Sequence, residues 1–278
     1  MKRKVTEIIL RFLLWSCTLL TIAILFLILG YVFFQGLPHI NLRFLTTSYA
    51  PGLGLEGVWS MIIGTLALMG LTLLVSVPAG IFAAIYLSEY AKPSRFLSLL
   101  RFSIECLAGI PSILYGLFGF TFFVVFLKLQ FSLLSGALTL AIMILPLLIR
   151  TTEETLQSVP DSFREGSLAL GANRLVTLFR IVLPSAIPGI LTAVILSMGR
   201  IIGETAAVYY TAGTVPQVPL STAESTRTLA VHLYFLAKEG LDQGQAFAAA
   251  AILILLIAAL NLAAQGTANY FNRRLTGK

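Results

Sequence analysis

Two ionisable residues, Arg200 and Glu204, lie inside an otherwise apolar stretch of this chain. Either charge at the centre of a bilayer costs about 2.5 to 3.5 kcal/mol on insertion scales, so we expect neither residue to face lipid. Residues four apart share one face of a helix, where the two side chains could form an ion pair. The same face could instead line a polar path for a solute. The sequence favours the path and leaves the ion pair as the alternative.

Hydroxyl groups extend this candidate path. Thr205 follows Glu204 directly, and Ser112 and Tyr115 lie in a second apolar stretch, just after Pro111. Because proline lacks an N–H, we expect a kinked helix there, with the Ser112 hydroxyl satisfying a freed backbone group. Helix packing is the simpler explanation for Ser112 and Tyr115, and a role in the path is the alternative.

The composition shows which elements are available to position these residues. Only 11% of the residues are charged and 58% are hydrophobic, whereas soluble domains carry roughly 25% charged residues. About 20 helical residues cross a bilayer core, and six stretches are long enough: Phe12 to Phe34, Val58 to Leu87, Cys106 to Leu127, Phe131 to Ile149, Ile181 to Tyr210 and Ala246 to Phe271. The sequence therefore predicts a single all-α integral membrane domain over residues 1–278, with membrane lipid around it.

The distribution of Lys and Arg predicts the orientation of these helices. Fourteen lie at the termini or in the loops after the second and fourth stretches: Lys2, Arg3, Lys4, Arg11, Lys92, Arg95, Arg101, Arg150, Arg164, Arg174, Arg180, Arg273, Arg274 and Lys278. Four lie in the remaining loops: Arg43, Lys128, Arg227 and Lys238. Since basic residues collect on the cytoplasmic side, both termini are predicted to be cytoplasmic. The net charge of +7 is then a topology signal, and we expect no nucleic-acid partner.

The predicted cytoplasmic loop from Arg150 to Arg180 carries two helix-start signals. Capping boxes of the form S/T-x-x-E begin at Thr151 and Ser162, and in such a box each side chain satisfies a free backbone donor. Two short helices are therefore expected, separated near Pro160 because the residue before a proline avoids the helical region. Gly171 is placed to end the second helix.

The outward segment from Thr211 to Gln245 divides into two parts. The first, TVPQVPLSTAEST, is rich in turn-forming residues and predicts a loop. The second, TLAVHLYFLAKEG, has apolar residues at helical spacing and ends in Gly240. We expect a short surface helix there, which either contacts a partner or covers the bundle.

The end of the cytoplasmic loop resembles a known family signature, the EAA motif of bacterial ABC importer permeases. The matching residues are Glu165, Gly171, Ile181, Leu183 and Pro184. This chain has Glu-Gly-Ser where the family usually has Glu-Ala-Ala. The resemblance implies six transmembrane helices of the type I ABC importer permease fold. It also implies that residues 150–184 form a coupling loop, in which Ser162 and the motif residues contact a separate ATP-hydrolysing subunit.

Two further phrases resemble the phosphate importer permeases of that family: LAGIPSILYGLFG from residue 107 and RIIGETAAVYYTAG from residue 200. The short amino terminus is more similar to the PstA-type subunit than to its PstC-type partner. The resemblance implies a permease for inorganic phosphate in a bacterial plasma membrane. Its implied partners are a PstC-type second permease, a dimer of ATP-binding subunits, and an extracytoplasmic phosphate-binding protein.

Phosphate chemistry agrees with the residues of the candidate path. An arginine fork such as Arg200 offers several donors to a tetrahedral oxyanion and keeps its charge at physiological pH. Phosphate still carries a proton near neutral pH, and Glu204 could accept it in a hydrogen bond, whereas sulfate has none to offer. Permeases for sulfate, molybdate or phosphonate remain the alternatives.

The chain itself is not expected to be an enzyme. It has no G-x-x-x-x-G-K-[ST] loop for ATP, and its one Gly-Lys pair is Gly277 and Lys278. No nucleophile, histidine and acid arrangement is visible, and the two His and two Cys residues show no metal-ligand spacing. We therefore expect no catalytic group, metal or cofactor in this chain, with ATP and Mg on the partner subunit. A self-contained channel or ion-driven carrier is the alternative from another class.

Overall fold

The computed structural model describes residues 2–50, 52, 55–240 and 242–276 as an almost entirely helical chain. The α-helices are α1 (Lys2–Gly36), α2 (Leu42–Thr46), α3 (Trp59–Ile85), α4 (Arg95–Ala108), α5 (Ser112–Gly119), α6 (Leu133–Gln157), α7 (Asp161–Ala169), α8 (Arg174–Thr177), α9 (Leu183–Gly203), α10 (Ala206–Thr211), α11 (Leu229–Glu239) and α12 (Gln243–Thr276). Strands β1 (Tyr49–Ala50) and β2 (Leu55–Glu56) form one short antiparallel pair. The predicted all-α class is confirmed. Gly277 and Lys278 lie outside the described residues.

Three π-helical turns lengthen these helices. Tyr86–Tyr90 extends α3, Phe120–Phe126 extends α5, and Leu178–Val182 joins α8 to α9. Five segments are then long and apolar enough to cross a bilayer: Ile9–His39, Trp59–Tyr90, Leu133–Gln157, Arg174–Gly203 and Gln243–Ala268. A sixth consists of α4 with the extended α5, which meet at an angle of 98°. The predicted count of six is reached with this bent pair as one span.

For the third span, the prediction of one kinked helix from Cys106 to Leu127 is wrong, because a non-helical segment separates α4 from α5. Pro111 has extended backbone with ψ 139°, and it has no N–H to donate to the Leu107 carbonyl one turn earlier. That carbonyl instead accepts a hydrogen bond from the Tyr115 hydroxyl at 2.8 Å. Tyr115, rather than Ser112, therefore supplies the donor that the proline removes.

For the fifth span, the prediction of one helix from Ile181 to Tyr210 is also wrong, because α9 ends at Gly203. Glu204 leaves the helix with ψ 127°, and its carboxylate accepts a hydrogen bond from the Ala207 N–H at 3.1 Å. A carboxylate in this position satisfies a free donor in the first turn of α10. The low helix propensity of glycine and the competing bond of Glu204 together account for the break.

The core lies where α3, α6 and α9 pack together, with α5, α10 and α11 around them. Its largest cluster contains Leu68, Leu140 and Ile144, each at most 1% exposed. Small residues allow close helix contact in membrane proteins: a Cβ on Gly80 of α3 would lie 3.0 Å from the Leu148 Cβ of α6. By contrast, α1 lies at the periphery, and none of its apolar window is buried. The bundle that positions the candidate site is therefore α3 to α12.

At the predicted cytoplasmic end, α6 continues well past the expected end of the fourth span before α7 begins. The break near Pro160 is confirmed, but both predicted capping boxes are wrong. Thr151 lies inside α6, where the helix has no free N–H to cap. Ser162 lies inside α7, whose N-cap is Pro160 without a side-chain bond. Gly171 has φ +86° and turns the chain after α7, as predicted.

On the opposite side, an irregular segment leads into the short helix α11, as predicted. Thr228 caps this helix, and Gly240 ends it with φ +63°. Leu229 and Leu236 on α11 are buried in a second apolar cluster, which also contains residues of α3 and α12. Helix α11 therefore covers the bundle, which is one of the two roles considered for it.

Candidate functional site

The two helix breaks lie side by side within the bundle. Gly116 of α5 packs so closely on α10 that an added Cβ would lie 2.9 Å from the Ala207 Cα and 3.2 Å from the Ala206 carbonyl oxygen. Irregular backbone at membrane depth is tolerated only where protein buries it or where it lines a polar cavity. Broken helices of this kind surround the solute sites of many transporters. The meeting point of α5 and α10 is therefore the candidate solute site.

Arg200 lies in the last turn of α9, directly before one break, and is exposed on the surface of the isolated chain. Across the described residues it forms no ion pair. The alternative pair with Glu204 does not form, because Glu204 has left the helix and caps α10. A guanidinium that faces lipid within the hydrocarbon layer is costly. In the membrane, a polar neighbour is therefore expected on this face of α9.

The other predicted path residues lie at the same two breaks. Ser112 is the first residue of α5 and Thr205 precedes α10, and both are half-buried. Tyr115 is 5% exposed. Its hydroxyl is already bonded to the backbone of α4, so helix packing accounts for Tyr115.

The side chains at these two breaks are of types that can bind an anion. Arg200 contributes an uncompensated positive charge, and Ser112 and Thr205 contribute hydroxyls that donate or accept. Glu204 has one carboxylate oxygen occupied by a backbone N–H and a second that can accept. Within the described ranges, no three His, Cys, Asp or Glu side chains come together to hold a metal ion.

A second candidate surface lies at the predicted cytoplasmic end, on and beside α7. Of the nine residues of this helix, which are all described, only Ser167 is buried, and its hydroxyl is 2.9 Å from that of Thr177. Leu170, in the turn after α7, is 90% exposed, and Phe163 is 51% exposed. Large apolar side chains exposed together mark a contact surface. A groove of about 700 Å³ lies between α7 and the start of α9.

The predicted coupling residues divide between α7 and this groove. Ser162, Ile181 and Pro184 line the groove. Glu165 is exposed on α7, whereas Leu183 packs against the buried cluster at this end of the bundle. The motif therefore corresponds to one short helix, the glycine turn after it, and one wall of a groove.

Sequence reasoning missed the ion pairs that hold this end of the bundle together. Arg164 of α7 pairs with Glu89, just beyond α3, at 2.8 Å, and Arg101 of α4 pairs with Glu153 of α6 at 2.5 Å. The hydrogen bond with Glu89 raises the pKa of Arg164. The partners are 75 and 52 positions apart, so no local spacing in the sequence indicates them.

Residues 76–277 match the family described as "Binding-protein-dependent transport system inner membrane component". The chain belongs to this family. The matched region contains the α5 and α10 breaks, α7 and the groove. With its apolar helices, this inner membrane component is a multi-pass protein of the plasma membrane.

Several relatives of this inner membrane component are similar over most of its length. "Probable ABC transporter permease protein YqgI" of Bacillus subtilis (strain 168) is 31% identical, over 99% of this chain and 99% of its own. "Phosphate transport system permease protein PstA 1" of Mycobacterium tuberculosis is 36% identical, over 75% of this chain and 69% of its own. "Phosphate transport system permease protein PstA" of Haemophilus influenzae is 33% identical, over 82% and 81%.

Solved structures of other transporters share the fold of this inner membrane component. A bacterial ABC transporter involved in the import of the acidic polysaccharide alginate gives a TM-score of 0.66 at 18% identity, over 96% of this chain and 99% of its own. The MetNI methionine ABC transporter gives a TM-score of 0.60 at 18% identity, over 78% and 94%. The chain therefore has the type I ABC importer permease fold.

Proposed function

We propose that this chain is a PstA-type permease subunit of an ATP-driven ABC importer that moves inorganic phosphate into the cytoplasm. The observation that carries the proposal is the Arg200 guanidinium, which forms no ion pair among the described residues and lies one turn before the break between α9 and α10. Relatives named as phosphate transport system permeases, similar over 75% and 82% of this chain, support phosphate as the cargo.

The path residues have complementary roles toward phosphate. Arg200 binds the anion through charge-assisted hydrogen bonds, which are about twice as strong as neutral ones. Glu204 keeps one carboxylate oxygen on the Ala207 N–H and accepts the proton-bearing oxygen of phosphate with the other. Sulfate has no proton to donate near neutral pH, so the negative charge of Glu204 would repel it without a compensating hydrogen bond. Thr205 and Ser112 complete the polar lining.

The energy comes from a separate subunit that binds ATP and Mg. That subunit docks on α7 and in the neighbouring groove, where Leu170 and Phe163 provide exposed apolar contacts. Glu165 and Gly171 belong to the same docking surface. When the ATP-binding dimer closes, it moves α7 and re-orients the spans, so that the path opens to alternate sides of the membrane.

A second permease, of the PstC type, covers the face of α9 that carries Arg200. Thr192, Leu196 and Arg200 follow one another along this face and are all exposed in the single chain. Because lipid is a costly neighbour for a guanidinium, a second chain with a polar path between the two accounts for this exposure. An extracytoplasmic phosphate-binding protein delivers the anion to the outer end of this path.

Reconstitution in lipid vesicles tests the proposal. The complete complex should accumulate labelled phosphate only with ATP and Mg, and excess sulfate should not compete. This chain alone should be inert. Uptake by the single chain without ATP would identify a channel or carrier. ATP-driven uptake of labelled sulfate or molybdate that excess phosphate does not inhibit would identify a permease for another oxyanion.

A further inference from the structure

The attachment of α7 to the bundle is unusual for a surface helix. Such helices are normally held by an apolar stripe facing the core. In α7, Phe163 and Leu168 are 51% and 46% exposed, and Ser167 is the one buried residue of this fully described helix. Polar contacts must therefore hold α7 in position.

Arg164 makes most of these contacts. Its side chain is 18% exposed, and that of Glu89 is 17% exposed. The Arg164 Nη2 donates to Glu89 Oε1 at 2.8 Å, and Nε lies 3.4 Å from Oε2. Nη1 donates to the Val159 carbonyl at 2.7 Å, and Nη2 also donates to the Leu156 carbonyl at 2.8 Å. One guanidinium thus holds one carboxylate and two backbone carbonyls.

These partners belong to two different spans. Glu89 lies in the π-helical turn that ends the α3 span. Leu156 lies in the last turn of α6 and Val159 just after that helix, and the last carbonyls of a helix have no partner within it. The five donors of a guanidinium, fixed in one plane, allow Arg164 to bind both ends at once. It therefore connects α7 to the second and the fourth span.

We propose that Arg164 is a positioning residue that transmits the movement of α7 to α3 and α6. This inference rests on the proposed importer function, in which the ATP-binding subunit moves α7. With the Arg164–Glu89 pair intact, α7 and the two spans move as one body. Without the pair, α7 moves in part without the two spans, and less of the ATP hydrolysis is converted into transport.

The test compares variants of the complete complex in vesicles, measuring phosphate imported per ATP hydrolysed. Arg164→Gln and Glu89→Gln should each lower this ratio about 2- to 30-fold, the range for residues of a coupling network. Both variants should still assemble and hydrolyse ATP. The double variant should lose no more than either single variant, because the two residues act as one pair. Arg164→Lys, which keeps the charge but loses the planar fork, should be intermediate.

Glu7 provides a control away from the docking surface. On the peripheral helix α1, its carboxylate lies 3.0 Å from the Arg11 guanidinium, but the two side chains are 63% and 74% exposed, and an exposed pair contributes little. Glu7→Gln should therefore leave the ratio of phosphate to ATP unchanged. A loss equal to that of Glu89→Gln would show that the loss of any ion pair lowers the ratio, and would contradict the specific role of the Arg164–Glu89 pair.

The outcomes separate this inference from the proposed function. A wild-type complex that shows no ATP-driven phosphate uptake overturns the proposed function, and the inference with it. Normal wild-type uptake with unchanged ratios in both glutamine variants overturns only the role of Arg164. Additive losses in the double variant do the same, because they indicate independent roles. If none of the Arg164 and Glu89 variants assembles, Arg164 is a folding residue and the inference is also overturned.

Discussion

At the scale of single residues, Arg200 and Glu204 show that backbone conformation determines which partners a charged side chain can reach. The spacing of four allows an ion pair on a continuous helix. The helix ends between them at Gly203, and Glu204 uses its carboxylate to cap α10. Arg200 therefore forms no ion pair among the described residues. An anion path requires such an uncompensated positive charge.

Replacing Arg200 tests its place in the path. Arg200→Gln should lower phosphate uptake roughly 10- to 150-fold, because a hydrogen bond to a charged group contributes about 1.5 to 3 kcal/mol. Uptake is measured in vesicles with an assembled complex. Lys238→Gln, which removes an exposed positive charge from α11, is the control and should transport normally. Normal uptake by Arg200→Gln would remove Arg200 from the path.

His232 predicts a dependence of stability on pH. It lies on α11, outside the predicted spans, is 1% exposed, and its Nε2 has no partner among the described residues. Burial, with a smaller contribution from the Arg227 charge, lowers the pKa of His232 to about 3. The unfolded chain has a histidine pKa of about 6.5. As the pH falls below about 6.5, the unfolded state therefore binds a proton that the folded state does not.

The free energy of unfolding should consequently fall by roughly 2 kcal/mol between pH 7 and pH 5 through this residue. Thermal unfolding of the purified protein at the two pH values measures the difference. His232→Gln removes the titrating group, so the variant should lose this part of the pH dependence. Equal pH dependence in the wild type and the variant would show that His232 is not responsible.

Sequence spacing predicted the residues whose roles are local. Gly171 and Gly240 end helices with positive φ, and Pro160 separates α6 from α7. The partner of Arg164 lies 75 positions away on another span, and no single-sequence signal connects the two. The hydrogen bond from Tyr115 to the Leu107 carbonyl could not be predicted from the sequence either, because it forms only where the helix breaks completely.

At the scale of elements, two apolar stretches that look like continuous spans are each divided in the structure. Hydropathy predicts the length of a stretch that crosses lipid, and it is insensitive to a short break. Pro111 and Gly203 are visible in the sequence, but whether such residues kink or end a helix depends on neighbouring helices that satisfy the freed groups. The fold class was therefore predictable, whereas the geometry of the solute site was not.

The contact between α5 and α10 is expected to be intolerant of added volume. Gly116→Val would force side-chain atoms into the Ala207 backbone, where even a Cβ would lie 2.9 Å from the Cα. We expect a loss of roughly 1 to 3 kcal/mol in stability, together with loss of uptake. Gly30→Val on the peripheral helix α1, where no atom lies within 4 Å, is the control. A thermal midpoint for Gly116→Val equal to that of the control would contradict the close contact.

The turn after α7 is expected to depend on backbone conformation rather than on space. Gly171 has φ +86° and no neighbour within 4 Å of an added Cβ. Gly171→Val should therefore strain the turn by roughly 1 to 2 kcal/mol and weaken binding of the ATP-binding subunit. Gly171→Asn should bind nearly normally, because asparagine tolerates this conformation. Co-purification of the two subunits measures the effect, and equal binding by both variants would exclude the turn from the dock.

At the scale of the whole molecule, one helix joins the two candidate sites. Helix α9 has 21 residues from Leu183 to Gly203, or about 30 Å at helical rise. Pro184, near its start, lines the cytoplasmic groove, and Arg200 lies in its last turn. In the proposed importer, α9 is therefore a second connection between the groove and Arg200, beside the Arg164–Glu89 pair. The two sites remain separable by mutation, since each can be changed without touching the other.

The central claim is that this chain forms part of an ATP-driven path for inorganic phosphate. The most direct measurement is uptake of labelled phosphate into ATP-loaded vesicles that contain the complete complex, with wild-type chain and with Arg200→Gln. The account predicts accumulation that requires ATP, resists excess sulfate and is lost with Arg200→Gln. Phosphate uptake that proceeds without ATP, or is unchanged by Arg200→Gln, would contradict it.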